Sequence, residues 1–544
     1  YLDYADQTGI GLSLPIPGVD HLRNQLLENQ AIKQAYLNEQ QAFVKRYRGH
    51  PSVFFWTVGM NTMNPQDAIH PLTMGQRQDY SHPMADVIQL ASESAKAVDP
   101  NTLVYSHADG NQGDLSTSNL YTNFAPLQER EDWPMYYAQK GDMPFCAVEF
   151  GQPITANFIK GKQVYLPEFM AITLGDKVYE QESDEALASI NDVITSPWVT
   201  DKYLPLYQDT YWDFHGLYMD KTNRAWRTYD VTALGYYWDF SVSFGDPPGF
   251  NPKREKVFGK YAKYIKEIPT KVPDWVNENF YIHRRGQQPL MRYIAGYPTH
   301  TDKTHAFYAG NQITKQLAYV WDGPGDKQLS ATWQVTDSTG KIISKGSDKA
   351  QLKAGDIQLH PFSFVAPNVN QRTVLTLSMS IKQDGREIAN DTTDIEIYPA
   401  FSGKKAQHKI AVFDPANKST AWIKSLGSDV SNWQIGQSLD GVKLLVIGRE
   451  ALHDLKELPY TDADIRNGLN VLMLEQLPVD WEKMGLNCIE VGTRILEPRL
   501  IDDPIIKGLT RTDLSYWQGS PDLLPANKAA RSYDLRRAAR VNNN

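Results

Sequence analysis

The chain has 544 residues, too many for one hydrophobic core, which predicts about three or four domains. Hydrophobic residues make up 41% and charged residues 22%, values typical of a globular protein rather than a disordered or fibrous one. A net charge of -9 disfavours a nucleic-acid partner, because phosphate binding requires a basic surface. The sequence also lacks the run of about 18 apolar residues that a membrane span needs, so we expect no membrane partner.

Cofactor motifs are missing from the sequence. Its only two cysteines, Cys146 and Cys488, lie far apart and allow neither a disulfide framework nor a metal cluster. There is no zinc-type His-Glu-x-x-His pattern and no phosphate-binding glycine loop. We therefore predict that the protein uses no cofactor and no metal. Aromatic residues reach 11%, which fits either large cores or platforms on which sugar rings stack.

The first half of the chain alternates short apolar runs with amphipathic helical stretches, as in β-α units around a parallel sheet. "YLDYADQTG" predicts a helix stopped by glycine, and "IGLSLPI" predicts a buried strand after it. Further helices are predicted for "MADVIQLASESAKAVDP" and "LQEREDWPMYYAQKG". The later strand candidates are "SVFFWTV" (52–58), "TLVYSHADG" (102–110), "SNLYTNF" (118–124), "MPFCAVEFG" (143–151) and the segment 224–240. This makes about six strands, where a closed (β/α)8 barrel of the TIM type has eight.

The order of predicted strands and helices changes twice further along the chain. A linker is predicted over 269–300, and alternating strands with Ser-Thr-Gly and Asp-Gly turns predict an immunoglobulin-like β-sandwich over 301–400. Buried strands in "KIAVFDP", "KLLVIGREAL" and "NGLNVLMLEQLP" predict an open α/β domain over 405–525, followed by a polar tail over 526–544. We therefore expect a multidomain protein with a barrel over 1–268, a sandwich and an accessory α/β domain.

Side chains at the carboxyl ends of barrel strands face the ligand. The strand candidates place eight residues there, namely Asn61, Asn64, His107, Asp109, Tyr121, Asn123, Glu149 and Trp238. Glu149 ends the apolar run "PFCAV", where an unpaired carboxylate is costly unless it has a role or a partner. Residue chemistry alone leaves two readings open, a reactive carboxylate or a structural one paired with arginine or backbone N–H groups.

Three segments resemble glycoside hydrolase family 2, the relatives of β-galactosidase and β-glucuronidase. "RYRGHPSVFFWTVGMN" is similar to the fourth-strand signature "NHPSV..W..GNE", the opening segment to the second helix and third strand, and "MPFCAVEFG" to the seventh strand. "THAFYAGNQITKQLAYVWDG" (304–323) resembles the entry into the sandwich that follows the barrel in several such enzymes. The resemblance implies that residues 1–268 are barrel strands three to eight, with the usual N-terminal domains and the first two strands upstream of Tyr1.

The resemblance makes Glu149 the nucleophile of a retaining mechanism, in which a second carboxyl group serves as acid and base. The family's Asn-Glu pair falls on Met60-Asn61, or on Asn61-Thr62 with a shift of one residue, so no glutamate stands there. An amide cannot donate and recover a proton as a carboxylic acid does, so Asn61 is expected to bind a sugar hydroxyl instead. Asp67 and His70, in the loop that follows, are the alternative acids.

Four further residues are expected to contact the substrate. Tyr121 matches a family tyrosine near the nucleophile, and Trp238 is either an aromatic floor under the sugar or a core residue. His107 and Asp109 follow the neighbouring strand, although a loop Asp beside glycine is more often a turn former.

The C-terminal domain resembles the amidotransferase-like, flavodoxin-like domain of some β-galactosidases. Active relatives carry a cysteine at a sharp turn after a strand, where this chain has Glu475, so a role in packing or assembly is expected. The resulting prediction is a glycosidase acting on an oligosaccharide or polysaccharide. The alternatives are a sugar-binding homologue that has lost catalysis and an enzyme of altered chemistry on the same scaffold. The sequence leaves open whether copies of the chain associate.

Overall fold

The computed structural model describes residues 1–16, 18–120, 122, 125, 127–150, 173, 209–233, 278–301, 304–401, 403, 405–481, 502–510 and 513–514. Within these residues, no helix is both long and apolar enough to cross a lipid bilayer.

The N-terminal part contains six short strands whose pairings are all parallel. They are β1 (Leu12–Pro15), β2 (Val53–Met60), β3 (Leu103–His107), β4 (Ser116–Asn119), β5 (Phe145–Glu149) and β6 (Thr232–Ala233). Strands β1 to β3 form one sheet and β4 to β6 a second one. Between β3 and β4, the N–H of Asp114 donates to the carbonyl of Val104 at 2.7 Å and that of Gly110 to Thr117 at 3.0 Å. The six strands therefore follow chain order, as the β-α pattern predicts.

Helices connect these strands. They span Leu2–Thr8, Val19–Leu22, Gln25–Glu28, Gln30–Tyr47, Pro83–Val98, Leu127–Glu131, Met135–Lys140 and Asp209–Thr228, with a short 3-10 helix at Gln66–Ala68. The helix Pro83–Val98 buries apolar side chains three and four residues apart, so one face packs on the sheet. There it meets Trp56 of β2, which is fully buried and whose indole N–H donates to Asp99 at 2.9 Å. This packing fixes β2 against the helix Pro83–Val98, and so fixes the position of the polar residues that follow the carboxyl end of β2.

Two predictions for this part are wrong in detail. The single helix expected over "LQEREDWPMYYAQKG" is two helices separated around Pro134, because proline lacks the N–H that a continuous helix would need. The segment 224–240, expected as a strand, continues the helix Asp209–Thr228 and then enters β6 at Thr232. The rest of that segment lies outside the described residues.

Two antiparallel sheets follow and pack face to face. One contains β8 (Ala306–Tyr308), β10 (Lys327–Asp337), β11 (Ile342–Leu352), β13 (Thr373–Gln383) and β14 (Arg386–Tyr398), where β8 joins in parallel. The other contains β7 (Leu290–Ala295), β9 (Gln312–Trp321) and β12 (Asp356–Val365). One hydrophobic cluster draws buried side chains from both sheets, which makes this region a β-sandwich.

The sandwich contains the predicted Asp-Gly turn, but its first strand begins earlier in the chain than the sequence predicts. The predicted Asp-Gly turn between β13 and β14 has both central residues in the left-handed region, with φ 50° at Asp384 and 78° at Gly385. The predicted linker over 269–300 is wrong in its second half. A helix spans Glu278–Gly286, and β7 pairs with β9 as part of the sandwich.

The C-terminal part is an open parallel sheet. Its strands are β15 (Lys409–Phe413), β16 (Val430–Asn432), β17 (Val442–Ile447) and β18 (Asn470–Met473), in the order β16-β15-β17-β18. Helices span Thr420–Ser425, Asp462–Arg466 and Pro478–Trp481. Glu475 follows β18 and forms an ion pair with Arg449 at 2.9 Å. The likeness of this sheet to amidotransferases stays a prediction.

Candidate active site

The carboxyl ends of β2, β3, β4 and β5 meet at one rim, as expected for neighbouring parallel strands. Each end contributes one polar side chain or the residue directly after it, namely Asn61, His107, Asn119 and Glu149. Hydrogen bonds connect these four residues across strands that are far apart in the sequence. The rim is therefore one polar site rather than a set of separate loops.

Glu149 and His107 form the centre of the rim. The imidazole Nε2 of His107 lies 3.2 Å from the carboxylate Oε1 of Glu149, and the two side chains are only 12% and 13% exposed. When Nε2 carries the proton, it donates to the carboxylate and fixes its orientation. Glu149 keeps some access to solvent, so a ligand at the rim can reach it.

An amide pair stands beside this centre. The side-chain N–H of Asn119 donates to the Oδ1 of Asn61 at 2.9 Å, and the backbone N–H of Asn61 donates to the carbonyl of His107 at 2.8 Å. Asn61 has a left-handed backbone with φ 53°, a conformation that asparagine tolerates better than most residues. Asn61 is exposed, so its side chain is accessible from solvent, and its contact with a sugar hydroxyl stays a prediction.

Asp109, predicted to contact substrate, lies in the interior instead. Its side chain is fully buried and accepts hydrogen bonds from the Met63 N–H at 2.6 Å and from the hydroxyl of Ser106. The carboxylate thus holds the loop that follows β2, because its acceptor atoms are used by protein donors. From the other side, Asp20 accepts from the Met60 N–H at 2.9 Å and the Thr62 hydroxyl at 3.0 Å. Asp109 therefore positions Asn61 rather than binding sugar.

The two alternative acids lie further along this loop. Asp67 is exposed in the 3-10 helix, and its charge adds to the effect of burial that raises the pKa of Tyr80 to about 12. The Nδ1 of His70 accepts a hydrogen bond from the Leu72 N–H at 3.2 Å. Among the described residues, no hydrogen bond or ion pair connects either side chain to Glu149. Their role as acid stays a prediction.

Three predicted residues, Tyr121, Asn123 and Trp238, lie outside the described residues. Conversely, sequence reasoning missed Asn119 and Asp20. Asn119 is the last residue of β4 and could have been found by ending that strand two residues earlier. No local pattern marks Asp20, because its partners are about forty residues away.

A metal ion would find one set of ligands in the described part of the chain. Single oxygen or nitrogen atoms of Asp3, Asp6 and His50 lie within 4.8 Å of one another. The set precedes β2 and so lies at the end of that strand opposite the rim. Asp6 accepts from the Ser52 N–H at 3.0 Å and pairs with His50 at 2.7 Å. These contacts give the set a structural role at the start of β2.

The family model of the glycosyl hydrolases family 2 TIM barrel domain matches residues 1–163. This part of the chain, which includes β1 to β5 and the whole rim, is therefore related to glycoside hydrolase family 2.

Solved structures give weaker similarities. A β-D-mannosidase from Dictyoglomus thermophilum is 12% identical over 67% of this chain and 41% of its own length, with a TM-score of 0.37. A sporulation control protein from Bacillus subtilis is 13% identical over 18% of this chain and 46% of its own, with a TM-score of 0.14. A CARDB domain from Pyrococcus furiosus is 9% identical over 20% of this chain and 87% of its own, with a TM-score of 0.15. The chain thus spans less than half the length of the mannosidase, and no curated protein matches the sequence.

Proposed function

We propose that the protein is a glycoside hydrolase of the family 2 type that cleaves a glycosidic bond of an oligosaccharide or polysaccharide with retention of configuration. Glu149 attacks the anomeric carbon. The observation that supports this role is its place at the end of β5, partly exposed and 3.2 Å from His107, within the segment related to the family 2 barrel. His107 acts on this carboxylate as a positioning residue.

The proton donor is the unusual part of the proposal. When the family signature is aligned without a gap, Asn61 occupies the place of the acid, and its Oδ1 accepts a hydrogen bond from Asn119. A retaining mechanism without an efficient acid still proceeds when the leaving group needs little protonation, such as a nitrophenolate. We therefore expect better turnover of nitrophenyl glycosides than of alkyl glycosides of the same sugar.

The nucleophile is tested with Glu149→Gln and Glu149→Ala on a panel of nitrophenyl glycosides, with Glu39→Gln as the matched control. Glu39 is an exposed carboxylate on the helix Gln30–Tyr47, and no hydrogen bond or ion pair among the described residues connects it to the rim. Both Glu149 variants should lose turnover while retaining the circular dichroism spectrum. Added azide should restore activity to Glu149→Ala by attacking the anomeric carbon, giving a glycosyl azide of inverted configuration. Near-normal activity of Glu149→Gln would remove the assignment.

The acid is tested with Asp67→Asn and His70→Gln. Loss of alkyl glycoside hydrolysis with unchanged nitrophenyl glycoside hydrolysis identifies the altered residue as the acid. Equal loss on both substrates argues against an acid role, because protonation matters little for a good leaving group.

A second function is favoured by the same amide pair. A sugar-binding homologue that has lost catalysis would need no acid, and the exposed amide of Asn61, oriented by Asn119, carries both a hydrogen-bond donor and an acceptor for sugar hydroxyls. Measured sugar affinity without product after long incubation favours this alternative. Release of nitrophenol that depends on Glu149 excludes it.

A further inference from the structure

A buried arginine lies on a short helix that follows β4 in the chain. Arg130 belongs to the helix Leu127–Glu131, which packs against the helix Asp209–Thr228, and only 2% of the arginine is exposed. Its guanidinium lies 4.6 Å from the ring centre of Tyr218. A helix as polar as this one would normally face solvent, so the burial of its charges needs an explanation.

The guanidinium of Arg130 has no hydrogen-bond partner within the part of the chain that the structure describes. This holds for all three of its nitrogen atoms. Burial lowers the pKa of Arg130 to about 10, so the group still carries its charge near neutral pH. The contact with Tyr218 offsets part of the cost of burial, but an aromatic face accepts no conventional hydrogen bond from five N–H groups.

Neighbouring carboxylates have other partners. Glu131, next in the chain, is buried and lies 3.6 Å from the ammonium group of Lys221. Asp132 accepts hydrogen bonds from the hydroxyls of Thr301 and Tyr229. Proximity to Glu131 stabilises the charge of Arg130 electrostatically without satisfying its donors.

A buried hydroxyl adds a further donor on the facing helix. Thr222 follows Tyr218 by four residues and therefore lies on the same side of the helix Asp209–Thr228. It is 2% exposed, and its hydroxyl has no partner among the described residues. The interface between the two helices thus combines a buried positive charge with a buried hydroxyl, and neither has a hydrogen-bond partner among the described residues. A small anion supplies what is missing, namely negative charge and several acceptor directions.

We propose that this interface binds a small inorganic anion of the chloride class on the guanidinium of Arg130, with the Thr222 hydroxyl as an additional donor. The anion holds the helix Leu127–Glu131 against the helix Asp209–Thr228, and it does so independently of the rim.

Thermal unfolding in chloride tests the site. Sodium chloride replaces sodium gluconate at constant ionic strength, up to roughly 200 mM, and the wild-type Tm should rise saturably by about 2–4 °C. Arg130→Met removes the charge while keeping an unbranched apolar side chain, and its Tm should not respond to chloride. Arg46→Met is the matched control, because Arg46 lies over the ring of Tyr47 at 5.3 Å but is exposed. This control should respond as the wild type does.

A crystallographic experiment on the wild type avoids any dependence on the folding of Arg130→Met. Crystals soaked in bromide should show an anomalous peak within hydrogen-bonding distance of the Arg130 guanidinium. Three results would each overturn the proposal: equal wild-type Tm in chloride and gluconate, an equal chloride response in Arg130→Met, or a water molecule without anomalous signal at Arg130.

Discussion

Replacing Asp109 with alanine tests whether this carboxylate positions the loop after β2. The side chain is fully buried and pairs with the Met63 N–H and the Ser106 hydroxyl. Each buried donor left without its partner costs about 1–3 kcal/mol, so Asp109→Ala should lose about 2–6 kcal/mol of unfolding free energy. Asn61 lies two residues before Met63, so loosening this loop should also weaken sugar binding.

Urea unfolding followed by tryptophan fluorescence measures the free energy, and nitrophenyl glycoside hydrolysis reports on the rim. Asp114→Ala is the matched control. Asp114 follows the same strand, accepts from the Val104 N–H at 2.8 Å and pairs with Lys96 at 2.7 Å, but about a third of its side chain is exposed. Its loss should cost about 1 kcal/mol, because water replaces the missing contacts, and hydrolysis should be unchanged.

The outcomes separate the two roles considered for Asp109. Asp109→Ala with unchanged stability and lost sugar binding would mean direct contact with the substrate, as the sequence predicts. Unchanged stability together with unchanged hydrolysis would refute the positioning role as well. Only a coupled loss of stability and binding agrees with the buried geometry.

Three further predictions follow from packing and charge. Gly59→Ala should lower the Tm, because an added Cβ would lie 2.6 Å from the Ser106 hydroxyl, and an unchanged Tm would contradict this close packing. Asp391→Asn should cost about 3–5 kcal/mol in urea unfolding, because it leaves Arg224 and Arg285 buried without this counterion, whereas Asp429→Asn, in an exposed pair with Lys405, should cost nothing measurable. Acidification should remove the same stability. Although burial opposes ionisation, both arginines and the Ile294 N–H hold the pKa of Asp391 below its usual range. The stability that Asp391 contributes is therefore fully present above the unfolded pKa of about 3.9 and is lost as the pH falls through the lower folded value. This prediction is refuted if the difference in unfolding free energy between the wild type and Asp391→Asn does not change with pH.

The sequence predicts those parts of the fold and site that depend on local pattern. Apolar runs locate β2, β3 and β5, and the rule that parallel strands place their carboxyl ends together brings Asn61, His107 and Glu149 to one rim. Asp109 was misjudged because its partner Met63 is 46 residues away, a distance over which a sequence pattern carries no information on burial. Arg130 shows the same limit. The polar sequence of its helix predicts exposure to solvent, and the helix Asp209–Thr228 that packs against it is far away in the sequence.

The backbone at Asn61 also bears on how this site could change in evolution. Under the alignment proposed above, one amino-acid replacement at this position would return a glutamate to the place of the family's acid. With φ at 53°, however, a glutamate would carry about 1–2 kcal/mol of strain that asparagine largely avoids, and the contact with Asn119 would be altered. Reversion to an ordinary acid therefore requires a change in the surrounding turn as well, because the left-handed backbone at this position favours asparagine over glutamate.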